Sequence, residues 1–180
     1  MKVIAALSLI VTLAGCATPH ANLTTEKDVD LNKYAGTWYE QARLPNRFQK
    51  QCVSDVQADY VLRPDSTLLV TNQCRTSDGS TEVAQGEGRL STAANPRDPA
   101  ILQVRFAPAW TSWLPFVWGD YWIMKLRDDY HYSLVGTPDR KYLWVLSRDK
   151  QADKDIVTEL LDYAKSQGFP AEQVVRAGAH

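Results

Sequence analysis

From residue 36 onward, apolar and polar residues alternate with a period of two, which puts successive side chains on opposite faces of a strand. In VSDVQADYVL (53–62), Val56, Ala58, Tyr60 and Leu62 share one side, and Asp55, Gln57 and Asp59 the other. In AILQVRF (100–106), Leu102, Val104 and Phe106 oppose Gln103 and Arg105. Six further segments read as strands: TWYEQARL (37–44), STLLVTNQC (66–74), TEVAQGEGRL (81–90), GDYWIMKL (119–126), YHYSLVGT (130–137) and YLWVLSR (142–148). Short links such as RPDS, DGS and PDRK separate them, with Pro64 placed to favour a turn. Regular spacing and short links predict an antiparallel meander of eight strands. In 119–126 and 130–137 both faces are apolar, and the pattern does not say which face is inward. After residue 150 the period changes. Ile156, Leu160 and Ala164 recur at i, i+4 and i+8, with Val157 and Leu161 alongside, so 153–168 predicts one amphipathic helix. Gly168 and Pro170 end it. Its apolar stripe needs a surface, which places it on the outside of the sheet. EQVV (172–175) adds a short last strand.

Eight antiparallel strands must hide their edges, and closing into an up-and-down barrel removes them. The fold class read here is therefore all-β: an eight-stranded antiparallel barrel with one C-terminal α-helix packed outside. A barrel of this size has room for side chains or for one small ligand. Closure also dictates neighbours. The links after the first, third, fifth and seventh strands share one end. The second strand starts there and the third finishes there, which brings Cys52 close to Cys74 across an antiparallel pair. Cα separations of roughly 4.5–5.5 Å in such pairs suit a disulfide; two buried thiols are the alternative. At the other end the first strand begins and the last finishes, so Trp38 and Arg148 become neighbours, and a guanidinium stacked on the indole would cap the barrel floor.

AWTSWLPFVWGDYW (109–122) does not fit the alternation. It holds four of the six tryptophans, and Pro108 and Pro115 argue against a helix. Its end, GDYW, opens a strand; the rest is the link between the fifth and sixth strands, at the end where the cysteines meet. It reads as the rim of a cup, and a lid folded over the mouth is the alternative.

The N-terminus is a different object. MK precedes an apolar run, VIAALSLIVTLAG, too short to span a bilayer, so it reads as a secretory signal peptide. The run ends in LAGC at 13–16, which resembles the lipobox of bacterial lipoproteins. That resemblance implies removal of residues 1–15, a diacylglycerol on the Cys16 thiol and an acyl group such as palmitate on its new amine. Ala17 in place of Asp points to the outer membrane, at its periplasmic face. Residues 16–33 then read as lipidated Cys and tether, and 34–180 as the domain. The chain has 180 residues and a net charge of −1. Its basic residues are scattered, so nothing favours nucleic acid. His20, His131 and His180 lack ligand spacing with the cysteines, so no metal and no cofactor is expected.

GTWYE (36–40), with Gly36 and Trp38, and YLWVLSR ending at Arg148 before a helix, together resemble the signature of the lipocalin family. TPD at 137–139 is also familiar from it. With the lipobox, the chain is most similar to the bacterial outer-membrane lipoprotein branch, akin to apolipoprotein D, over about residues 30–175. The resemblance implies a lipid cup for fatty acids or lysophospholipids, used in storage, transport or repair of membrane lipid.

The expected lining is Val56, Ala58, Tyr60, Leu102, Val104, Phe106, Trp122, Met124, Tyr132 and Trp144, with Trp110 and Trp113 at the mouth; plain core filling would use the same residues. Arg43, Arg47 and Lys50 lie near the mouth as partners for an acidic head group, with solvated surface as the alternative. An interaction protein that docks a partner or a second copy through the aromatic loop is the second reading. An enzyme is the third and is not favoured. No G-x-S-x-G is present, His131 reads as an exposed strand residue, and Glu40 is better placed for a structural hydrogen bond. No catalytic residue is assigned.

Overall fold

The computed structural model describes residues 23–91 and 98–177. The lipobox, Cys16 and the signal segment lie outside the described residues. Eight strands form the barrel: β1 (Gly36–Arg43), β2 (Cys52–Leu62), β3 (Leu68–Thr76), β4 (Thr81–Leu90), β5 (Ile101–Arg105), β6 (Gly119–Arg127), β7 (Tyr132–Gly136) and β8 (Leu143–Ser147). Each pairs antiparallel with the next, and β1 closes the ring by pairing with both β2 and β8. A short β9 (Val175–Arg176) adds to β1 at Ala42 and Arg43, past the stretch that pairs with β2.

Two apolar cores follow from the alternation. The inner one fills the closed end of the barrel with Tyr34, Trp38, Tyr60, Leu68, Val70, Leu102, Tyr121, Ile123, Val135 and Leu146. The outer one lies between the wall and helix α2 (Lys154–Ser166), which buries Val157, Leu160, Leu161 and Ala164 as its periodicity requires. Asp153 caps that helix by accepting from the Asp155 amide. Gly168, at φ +89°, ends it, with the Phe169 amide reaching back to the Ala164 carbonyl.

Residues 23–33 correct the expectation of a free tether. Leu23 and Val29 are buried, the Glu26 amide donates to the Ile123 carbonyl, and helix α1 (Leu31–Tyr34) crosses the closed end. The reason is local: these polar residues punctuate two apolar anchors, six residues apart, whose spacing carries no period.

Candidate functional site

The floor of the barrel is built first. Arg148 stands over Trp38 at 3.8 Å. Its guanidinium donates to the carbonyls of Thr37, Lys33, Tyr34, Ala35 and Tyr130. The Trp38 indole donates to the Tyr34 carbonyl at 2.8 Å. The hydroxyls of Tyr34 and Tyr60 both meet that of Tyr121, at 2.8 and 3.0 Å. Burial raises all three phenols, Tyr34 to about 12. This end is sealed.

The opposite end is open. Tyr60 and Leu102 are buried deep inside, whereas Ala58, Val104 and Trp144, further up the inner wall and packed against the same core, are half-buried. Inward residues that keep partial exposure border an accessible interior. The inner wall of β4 is small: Gly86 and Gly88 pair with Val70 and Leu68 and face inward with them. The Phe106 ring lies so close over Gly86 that a Cβ there would stand 2.8 Å from it. Val56, two residues above Ala58 on β2, is half-buried toward the mouth. Cys52 and Cys74 form a disulfide with Cα atoms 5.5 Å apart, joining β2 to β3 at this end.

Three expected lining residues are elsewhere. Trp122, Met124 and Tyr132 belong to the outer core beneath α2. Tyr121 and Ile123 are the inward residues of β6, so alternation puts Trp122 and Met124 on the outer face, with Met124 beside Gly136 and Phe169. With both faces apolar, alternation could not choose between them.

The tryptophan loop is held from outside the barrel. Trp118 is buried between the guanidinium groups of Arg89, at 3.7 Å, and Arg105, at 5.1 Å. Its indole donates to the Ser112 carbonyl at 2.8 Å. Arg105 donates to the carbonyls of Ala107 and Pro108, both at 2.7 Å. These anchors leave Trp110, Trp113 and Phe116 at 76, 76 and 79% exposure. Phe48, in the β1–β2 link at the same end, is exposed as well.

Glu40 makes the structural hydrogen bond expected of it, within a polar cluster inside the mouth whose other members the sequence pattern did not indicate. Arg43 is not a surface cation: it forms a 2.6 Å ion pair with Glu40, and the two side chains are only 12 and 6% exposed. The Gln49 amide donates to the other Glu40 oxygen at 2.6 Å, and the Trp144 indole donates to Gln49 at 3.0 Å. Arg47 and Lys50 are exposed. The cause is a bulge. Pairing with β8 shifts between Glu40 and Ala42, so Gln41 is extra and Glu40 and Arg43 both turn inward, level with Leu146 and Trp144. His131 sits at the closed end, where it meets Asp149 at 2.8 Å. Among the described residues no cluster of His, Cys, Asp and Glu suits a metal ion, and no helix is long and apolar enough to cross a membrane.

Comparison with known proteins agrees with this architecture. The pattern of the lipocalin-like domain family matches residues 29–178. The chain is 35% identical to temperature-induced lipocalin-1 of Arabidopsis thaliana, over 84% of this chain and 80% of the relative. It is 31% identical to outer membrane lipoprotein Blc of Escherichia coli, over 95 and 91%, and 31% identical to apolipoprotein D of Cavia porcellus, over 85 and 78%. Among solved structures it resembles insecticyanin from Manduca sexta, with a TM-score of 0.65 at 20% identity over 88 and 85% of the two chains. Lipocalins are binding and transport proteins, and these relatives carry non-enzyme names. A closed eight-stranded barrel with a sealed floor, an open mouth and an outer helix, matched over residues 29–178 by the family pattern, belongs to the lipocalin-like family.

Proposed function

We propose that the barrel is a cup for one acyl chain of a fatty acid or lysophospholipid, and that the protein stores or carries such lipids at the outer membrane, held there by lipidated Cys16. The observation that carries this reading is the gradient along the inner wall. Tyr60 and Leu102 at depth are buried, while Ala58, Val104 and Trp144 above them keep partial exposure on a wall thinned by Gly86 and Gly88. An acyl chain laid on that wall gains about 0.8 kcal/mol per buried methylene.

The direction of the mouth supports the membrane part. Leu23 packs in the outer core, and the Thr24 amide meets Gln167. Gln167 in turn accepts from Arg140 in the β7–β8 link, at the open end. Cys16 precedes Leu23 by seven residues. A chain of that length spans at most about 25 Å. An acyl anchor on Cys16 therefore holds the open end, with Trp110, Trp113 and Phe116, toward the bilayer. Aromatic side chains favour the bilayer–water boundary.

The test is titration of the soluble domain with palmitate and with a lysophospholipid, read by tryptophan emission and by melting temperature. Both ligands are expected to quench emission through Trp144 and to raise the melting temperature. Ala58→Trp, which fills the cup, is expected to weaken both at least about tenfold, the loss of roughly 1.4 kcal/mol. Unchanged emission and melting with both ligands would overturn the cup.

A further inference from the structure

The inner wall near the mouth carries a charge pair that an acyl cup does not need. Arg43 gives one guanidinium nitrogen to Glu40 and has no other hydrogen-bond acceptor among the described residues. Glu40 is fully engaged, by Arg43 and by Gln49, and Gln49 is itself fixed by the Trp144 indole and by the Asn46 amide at 2.8 Å. The surroundings of Glu40 are otherwise neutral. Leu146 and Trp144 face it from β8, Val56 and Ala58 lie alongside on β2, and the cations of the β1–β2 link, Arg47 and Lys50, are exposed. Among the described residues, the inner wall near the mouth therefore holds a cation, Arg43, with free donors and an anion, Glu40, already bound to it.

We propose that Arg43 is the head-group anchor for anionic single-chain lipids, and that Glu40 is an internal anion which the head group displaces by exchange for one proton taken from solvent. This rests on the lipid-cup reading above. The physical argument is that two anions cannot share one buried guanidinium: the carboxylate that loses it is left desolvated and beside a like charge. Protonating Glu40 removes both penalties. The balance is simple: the lipid anion pairs with Arg43, the Arg43–Glu40 ion pair breaks, and a solvent proton neutralises the Glu40 carboxylate, so net charge inside the cup is unchanged. Burial already pushes the Glu40 carboxyl above the usual carboxylate range, against the pull of Arg43 and the Gln49 amide, which brings its protonation nearer to neutral pH.

The experiment compares a long-chain alkyl sulfonate, which carries its charge at every pH used, with the uncharged alcohol of the same chain length. Calorimetric titrations of the whole domain run from about pH 5 to about pH 9. Wild-type affinity for the sulfonate is expected to fall by up to about tenfold per pH unit above the Glu40 pKa, the slope of one linked proton. In buffers of different ionisation enthalpy, proton uptake should approach one per sulfonate on that limb. The alcohol should show neither effect. Glu40→Gln, which has the same shape, keeps one acceptor oxygen and cannot take up a proton, should bind the sulfonate more tightly at the alkaline end and without slope. Arg43→Met should lose the preference for sulfonate over alcohol. Sulfonate binding that is flat with pH in the wild type, or equally sloped in Glu40→Gln, overturns the exchange while the cup stands. Failure of both probes to bind the wild type overturns the cup and the exchange together.

Discussion

Arg148 does several jobs with one side chain. It covers the Trp38 indole and donates to five carbonyls at the floor, which gather the end of α1, the start of β1 and the β6–β7 link. Gly36 makes room for it. At φ +99° it holds a conformation that other residues resist, and a Cβ there would stand 3.3 Å from the guanidinium. A lysine at 148 keeps the charge but has three donors on one nitrogen and no plane to stack. Arg148→Lys is expected to destabilise the domain by about 2 kcal/mol. Its melting temperature should fall by roughly 4–8 °C, with ligand affinity little changed. Thermal unfolding followed by circular dichroism checks this. Trp38 and Arg148 were readable as neighbours because barrel closure alone brings the first and last strands together. Arg43 was not, because a single extra residue at Gln41 inverts the alternation and no sequence period announces it.

At the scale of elements, the disulfide and the tryptophan loop organise the mouth by different means. Cys52–Cys74 closes a loop between β2 and β3 beside two irregularities in their pairing, between Cys52 and Ser54 and between Ser54 and Gln57. Hydrogen bonding is interrupted there, so the covalent link compensates for a weakened ladder. Its chain-entropy contribution is about 2–4 kcal/mol. The Cys52→Ala, Cys74→Ala double variant is expected to lose that amount in urea unfolding and to open the mouth to proteolysis in residues 44–52, before the barrel itself unfolds. Equal stability of the two forms would show that the bridge is idle. The strands, the links and α2 were legible because each has one apolar face. The sixth and seventh strands and residues 23–33 were not. Two apolar faces carry no direction, and residues 23–33 form a strap, held by two buried side chains and a few backbone hydrogen bonds, with no period to read.

For the molecule as a whole, what matters is that the ends of the barrel differ and that the first described residues, from Leu23, are tied to Gln167 and through it to the β7–β8 link at the open one. Arg148 and three tyrosines seal one end. The other carries Phe48, Phe106, Trp110, Trp113 and Phe116, all exposed, with the tryptophan loop fixed by Trp118 and Arg105 on the outer wall. A loop fixed in this way needs no ordering when it meets an apolar phase, so its aromatic groups act as preformed contacts. Under the proposed lipidation, an acyl anchor on Cys16, seven residues before Leu23, would share a surface with these aromatics. The proposal therefore predicts two contributions to membrane attachment, and they separate experimentally. Cys16→Ser in the full-length chain should release the protein from the membrane fraction, since covalent acyl chains supply the stable anchoring. In the soluble domain, Trp110→Ser with Trp113→Ser should reduce binding to phosphatidylethanolamine–phosphatidylglycerol vesicles at least about tenfold in sedimentation assays, the loss of roughly 1.4 kcal/mol. The same double variant should extract lysophospholipid from vesicles more slowly yet bind micelle-free lysophospholipid unchanged, because the loop contacts the surface and the cup holds the chain. If binding of free lipid weakened as much as extraction slowed, the two tryptophans would line the cup itself, and the division between rim and wall drawn from their exposure would fail.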